Sequence, residues 1–196
     1  MTTNLMHKKA LQADQAGFSL VEVLVSVVVL SIGVLGAVGM QVASMQGSKE
    51  VRNQAMAGSM GKELAEKMRA NHRVAILNPN PYLLNTVITR TANFTLPSPN
   101  CATVTCTPAQ LAAWDIEEWQ MRMKDALPEP RVVICMDSAP FSGGVPRWNC
   151  DNNGDVAVLK LAWNRVDTKG DLTFTSGNGT TTVPLLVLPL TAGSSD

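Results

Sequence analysis

From Phe18 to Val42 almost every position is apolar or small, and after Glu22 no ionisable side chain occurs until Lys49. A run of this length is long enough to cross a bilayer, for which about 20 apolar residues suffice. Polar positions then return while helical spacing persists. Met56, Met60, Leu64 and Met68 form one stripe with Ala57, Gly61 and Ala65 beside it, and Lys62, Glu63, Glu66, Lys67 and Arg69 fill the other positions. Glu63 and Lys67 stand four apart in the favourable order for a helical ion pair. The pattern predicts one helix from Phe18 to about Ala75, about 85 Å long at 1.5 Å per residue. Asn78-Pro79-Asn80-Pro81 ends it, because proline cannot continue a helix.

The stretch up to Thr107 is rich in Thr, Asn, Pro and Ser and reads as loop with short extended pieces. Thr107-Pro108-Ala109-Gln110 has the form of a capping box with proline at the first helical position. Ala112, Ile116, Trp119, Met123 and Leu127 then recur at helical spacing as far as Pro128, with Trp114 at the margin of the stripe. Strands are predicted at Arg131 to Asp137, at Val156 to Arg165 with Ala157, Leu159, Leu161 and Trp163 on one face, and at Val183 to Leu190. Pro184 and Pro189 assign the last to a sheet edge. A fourth strand, Leu172 to Thr175, pairs through a turn at Asp167 to Asp171. These elements make an α+β protein: a long N-terminal helix packed on a small antiparallel sheet with one further helix.

Glu22 is the anomaly of the apolar run. An acidic residue at the centre of a membrane helix costs about 2.5 to 3.5 kcal/mol, so it requires a partner. The stretch Gly17-Phe18-Ser19-Leu20-Val21-Glu22 resembles the class III signal and assembly helix of the type IV pilin superfamily, which includes the pseudopilins of secretion systems. The resemblance implies that a prepilin peptidase cuts between Gly17 and Phe18, methylates the new amino terminus of Phe18 and leaves the apolar helix in place. It also makes Glu22 the residue for subunit assembly. The physical chemistry agrees. Cleavage creates an ammonium on Phe18 one turn from Glu22, so a neighbouring subunit's terminus can neutralise the carboxylate in a low-dielectric bundle. Gly17 presents no side chain to a protease working at the membrane surface.

Two other readings compete for this segment. A secretory signal has an apolar core of about 7 to 15 residues followed by a small-residue cleavage site, which Ala37-Val38-Gly39 resembles, but the core here is about twice that length. An unprocessed anchor would not call for a glutamate four residues after Phe18. Lys8 and Lys9 keep the leader cytoplasmic by the positive-inside tendency. The expected divisions are a leader at 1–17, an assembly helix at 18–43, its amphipathic continuation at 44–75 and a periplasmic head at 76–196. Gly33, Gly36 and Gly39 permit close helix approach within the run, with Gly33/Ala37 and Gly39/Ala43 as small-residue pairs.

The 196 residues carry 16 basic and 16 acidic side chains, which excludes a polybasic nucleic-acid or membrane-surface binder. Loss of the leader leaves 14 basic against 15 acidic. Cys101, Cys106, Cys135 and Cys150 all follow the apolar run and so lie on the exported side, where thiols oxidise. Four cysteines allow three connectivities. Local pairing, Cys101 with Cys106 and Cys135 with Cys150, is the expected one. The intervals of 4, 28 and 14 residues lack the paired knuckles of a zinc site.

Catalytic patterns fail. His7 leaves with the leader, His72 has no companions in sequence, there is no Gly-x-Ser-x-Gly, and Gly61-Lys62 lacks the rest of a phosphate loop. Asp115, Glu117 and Glu118 read as a solvated helix face. Asn149 to Asp155 alternates oxygens with a glycine sixth, as an EF-hand does, but Lys160 stands where the bidentate glutamate belongs, so a polar turn anchored by Cys150 is expected, with a weak calcium site as the alternative. No enzyme, cofactor, metal or nucleic-acid partner is expected.

Within the superfamily, Ser31-Ile32-Gly33-Val34-Leu35-Gly36, the Cys101 and Cys106 region leading into the Trp114 helix, and Leu161-Ala162-Trp163 resemble minor pilins of the pilus-modification type. Gly39 also stands near where major pilins usually carry proline. The resemblance implies partners in other pilins through the N-terminal helix and in the prepilin peptidase. It implies a single pass of the inner membrane before assembly, then an extracellular pilus with its tip as one location. A type II secretion pseudopilin shares the helix and is the alternative, and a membrane-anchored periplasmic enzyme is a third reading, disfavoured by the missing nucleophile and base.

Overall fold

The computed structural model describes residues 17–166, 172–173 and 183–191; the leader lies outside them apart from Gly17. Contacts divide the chain into two units, Met1–Gly47 and Ser48–Asp196. Helix α1 (Leu20–Ala70) contributes to both, and in the first unit it is the whole of the described regular structure.

The second unit is built by α1 from Ser48 onward, α2 (His72–Ala75), β1 (Leu84–Val87), α3 (Pro108–Ala126), β2 (Arg131–Met136), β3 (Phe141–Ser142), β4 (Val145–Pro146), β5 (Ala157–Ala162), β6 (Arg165–Val166), β7 (Leu172–Thr173) and β8 (Leu186–Leu190). The main sheet has the order β1-β2-β5-β8 with every pair antiparallel. β8 lies at its edge, where Pro189, opposite Val158, leaves no ladder donor missing from the interior. β6 pairs with β7, while the turn between them, together with Phe174 and Thr175 of the expected strand, falls outside the described residues. β3 and β4 form a small hairpin that the sequence pattern did not predict. Gly143 and Gly144 both take positive φ at its turn, a conformation open to glycine.

Leu64, Met60, Met68, Trp119, Met123, Leu159 and Leu161 meet in the core between the helices and one face of the sheet. The stripe on α1 differs from the expected one: Met56 is 42% exposed and the buried line is Ala57, Met60, Gly61, Leu64 and Met68. Gly61 is there for space, because a Cβ would stand 2.7 Å from Leu188 and 3.0 Å from Leu159. Trp119 Nε1 donates to the Met60 carbonyl at 3.0 Å, fixing α3 across α1.

α1 stops at Ala70, five residues before the expected end. Asn71 is buried and its amide donates to the Pro108 carbonyl at 2.7 Å and to the Tyr82 hydroxyl at 3.1 Å, so long-range bonds hold it in a non-helical conformation before α2. α3 has the expected capping box: Thr107 Oγ1 accepts from Gln110 N, and Gln110 Oε1 accepts from Thr107 N.

β5 is buried on both faces instead of one. The outer face, carrying Arg131, Val133 and Cys135 beside Val158, Lys160 and Ala162, is covered by the chain that follows β2. Cys150 is bonded to Cys135, the Asn149 carbonyl accepts from Lys160 Nζ at 2.7 Å, and Arg131 lies 4.1 Å over the Trp148 ring.

Candidate assembly helix and processing site

Gly17, Phe18 and Ser19 precede α1 without helical structure, and Phe18 is 83% exposed. A Cβ on Gly17 would meet nothing within 4 Å among the described residues. Glu22 sits in the first turn of α1, where the helix dipole favours an anion. Ser26 Oγ and Ser31 Oγ donate back to the carbonyls of Glu22 and Val27, each at 2.7 Å. That satisfies their hydroxyls within the helix, as an apolar environment requires. The Glu22 carboxylate has no hydrogen bond or ion pair among the described residues.

The apolar side chains of this unit are exposed all round: Leu20, Leu24, Val28, Leu30, Ile32, Leu35 and Met40 alike. Length and composition suffice to cross a membrane. Gly33, Gly36 and Gly39 have open space where a Cβ would stand, so no contact among the described residues accounts for them.

In the second unit the sulfurs form two disulfides, Cys101–Cys106 and Cys135–Cys150, the local pairing. Cys135, Asp137 and Cys150 crowd their ligand atoms within 4.8 Å of one another, but the sulfurs are bonded to each other and the Asp137 carboxylate accepts from the fully buried Lys160. Asp151 accepts from Ser138 N at 3.0 Å, from Ser138 Oγ and from Asn153 N at 3.0 Å, bonds that hold its carboxyl well below the usual carboxylate range. Gly154 crosses the Asp137 backbone so closely that a Cβ would stand 2.6 Å from it. The Asn149 to Asp155 segment is thus a tied turn over the sheet.

The acidic positions of α3 correct the expectation of a solvated face. Asp115 is buried and accepts from Lys67 Nζ at 2.8 Å and from the Tyr82 hydroxyl at 3.1 Å. Lys67 also reaches Glu118 at 3.1 Å, and Glu63 pairs with Arg122, so the expected Glu63 and Lys67 pair along one helix is replaced by bridges between α1 and α3. Burial opposes the charge on Lys67, but hydrogen bonds to Asp115 and Glu118 outweigh it and raise its pKa. The hydrogen bond from Arg122 lowers that of Glu63. Burial pushes the Tyr82 hydroxyl up. Lys160 and Asn71 are what sequence reasoning missed, although a lysine inside an otherwise apolar strand was a visible signal.

Residues 12–38 match the family described as the prokaryotic N-terminal methylation motif, and residues 39–117 match the family described as type IV pilin Tt1218. Residues 39–117 are thus similar to type IV pilin sequence, and they follow directly on the methylation motif. Type IV pilins are structural fibre subunits, and this chain is accordingly a structural protein and not an enzyme. The pilin match takes in β1 and ends inside α3, so β2, β5 and β8 of the main sheet and its covering loop lie beyond it. No curated protein and no solved structure matches the chain. The methylation motif and the apolar helix of a pilin imply processing by a prepilin peptidase, membrane anchoring, and assembly with other pilins.

Proposed function

We propose that the chain is a minor pilin of the PilV type, a pilus-modification subunit that helps start fibre assembly or tunes adhesion, twitching motility or DNA uptake. In this reading 1–17 is removed, Phe18 is N-methylated, 18–43 is the membrane and assembly helix, 44–75 continues it and 76–196 is the head. The observation that carries the proposal is Glu22: a carboxylate with no partner among the described residues, in an exposed apolar helix, one turn from Phe18 and inside the matched methylation motif. Before assembly the subunit spans the inner membrane once with its amino terminus in the cytoplasm and its head in the periplasm. On entry into the fibre its Glu22 pairs with the Phe18 ammonium of a neighbour. The pair is favourable there because neither charge is hydrated, and removing one partner strands the other.

Mass spectrometry of the mature protein is expected to find Phe18 at the amino terminus with one added methyl group. An intact Met1 in fibres, or a terminus after the apolar run, would overturn the reading. Glu22→Ala and Glu22→Gln are expected to remain inserted and cleaved while their content in sheared fibres falls relative to the membrane fraction. Normal incorporation of both would remove the charge-pairing step. Copurification with sheared pili supports a pilus role, whereas recovery with a secretion complex would move the assignment to a type II pseudopilin.

A further inference from the structure

The segment between β1 and α3 contains Asn93-Phe94-Thr95, an Asn-x-Thr triplet of the kind that accepts asparagine-linked sugar. Such triplets also arise by chance, and the setting distinguishes this one. Thr91, Asn93 and Thr95 are exposed, while Ala92 and Phe94 between them are half-buried and packed against the core. Thr91 belongs to a turn in which Ala92 N donates to the Thr89 carbonyl at 3.0 Å; from Ala92 to Thr95 the exposure period of two is that of extended chain, which puts Asn93 and Thr95 on the same outward side. The inward residues hold the segment in place. Lys124 Nζ donates to the Ala92 carbonyl at 2.6 Å, and Thr95 N donates to Glu117 Oε1 at 3.2 Å. The Asn93 amide itself makes no hydrogen bond to another described residue. A transferase can therefore engage both groups without unfolding the head, and a bulky hydrophilic addition displaces only solvent.

We propose that Asn93 is the acceptor of an N-linked glycan, added from a lipid-linked glycosyl pyrophosphate after the head has been exported. In the step, Asn93 Nδ2 bonds to the anomeric carbon and the bond from that carbon to the pyrophosphate oxygen breaks. The electron pair leaves with the lipid pyrophosphate, and the amide proton passes to a base of the transferase. The site depends on export of the head and not on its place in a fibre.

The test is peptide mapping of the full chain, isolated from the cells that make it. The peptide containing Asn93 is expected to carry a glycan. Asn93→Gln and Thr95→Ala are expected to abolish it and Thr95→Ser to keep it, with the Cys101–Cys106 disulfide of each variant intact as the check on folding. Bare Asn93 in exported, disulfide-bonded protein would overturn the proposal. So would sugar on the hydroxyl of Thr91 or Thr95, or sugar confined to Asn178, whose triplet with Gly179 and Thr180 lies outside the described residues. The state of Phe18, read from the same digest, reports the pilin assignment separately.

Discussion

Leu35 and Leu64 lie on one helix, yet the first is 72% exposed and the second fully buried. Helix formation does not distinguish them, since both sit in α1 and leucine favours helix at either place. The difference lies in what the rest of the chain provides. Around Leu64, α3 and the sheet supply Trp119, Met123, Leu159 and Leu161. Met1–Gly47 offers no described element other than the helix to cover Leu35. Apolar surface left in water is unfavourable by about 25 cal/mol per Å², so the first unit is completed only by lipid or by helices of other subunits. The second unit carries its own core. Substitutions in the two units should therefore be read by different assays, and each of the following tests that division.

The largest effect on the head is expected from Asp137→Ala, which leaves the buried Lys160 without its carboxylate. Breaking such a pair costs about 3–5 kcal/mol, measurable as a fall in the denaturation midpoint. Asp137→Leu with Lys160→Met should recover much of the loss; if the single substitution is harmless, the outer face of the sheet is not sealed as described. Leu64→Ala should destabilise the head by about 3 kcal/mol through lost burial and a residual cavity. Reduction of Cys135–Cys150, or Cys135→Ser with Cys150→Ser, should cost about 3 kcal/mol in the chain-entropy account. Cys101–Cys106, closing a shorter loop, should matter less to the denaturation midpoint.

A smaller effect follows from Glu63, whose pKa the Arg122 bond holds below its ordinary value of 4.5. Its folded pKa is the depressed one, so its contribution is full above the ordinary value and is lost as pH falls through the folded pKa. Arg122→Met should flatten this acid-side loss in a pH series of denaturation midpoints, and an unchanged slope would remove Glu63 as its source. The smallest change in head stability is expected from Leu35→Ala: a midpoint within error of the parent chain, with any deficit confined to membrane retention or fibre content. A clear fall in the midpoint would show that the first unit is stabilised by the head.

Local signals were read where local physics suffices. The Thr107 capping box, the α3 stripe ending before Pro128, and the edge strand marked by Pro189 needed only neighbouring residues to be recognised, although that strand starts at Leu186 and leaves Pro184 outside it. The proposed processing residues Gly17 and Phe18 and the proposed assembly residue Glu22 could be named from sequence for a related reason: the motif is contiguous, and a lone carboxylate in an apolar run is conspicuous without a fold. The stripe on α1 was read one position wide of the truth at Met56, because periodicity gives a face but not the limits of the surface that covers it. The break at Asn71 was invisible, since its causes, Tyr82 and the Pro108 carbonyl, come from later segments.

The sequence by itself determined the apolar helix with its lone carboxylate, the match to the methylation motif, and the alternation of elements, because these depend on spacing and on local composition. Tertiary structure alone decided the second buried face of β5, the Asp137 and Lys160 pair beneath the disulfide loop, and the bridges from Lys67 and Glu63 to α3. Each of these joins residues far apart in the chain. A lysine, an aspartate and a loop carry no mark of which will be neutralised by which until folding brings them within hydrogen-bond distance and removes the water that would otherwise satisfy them.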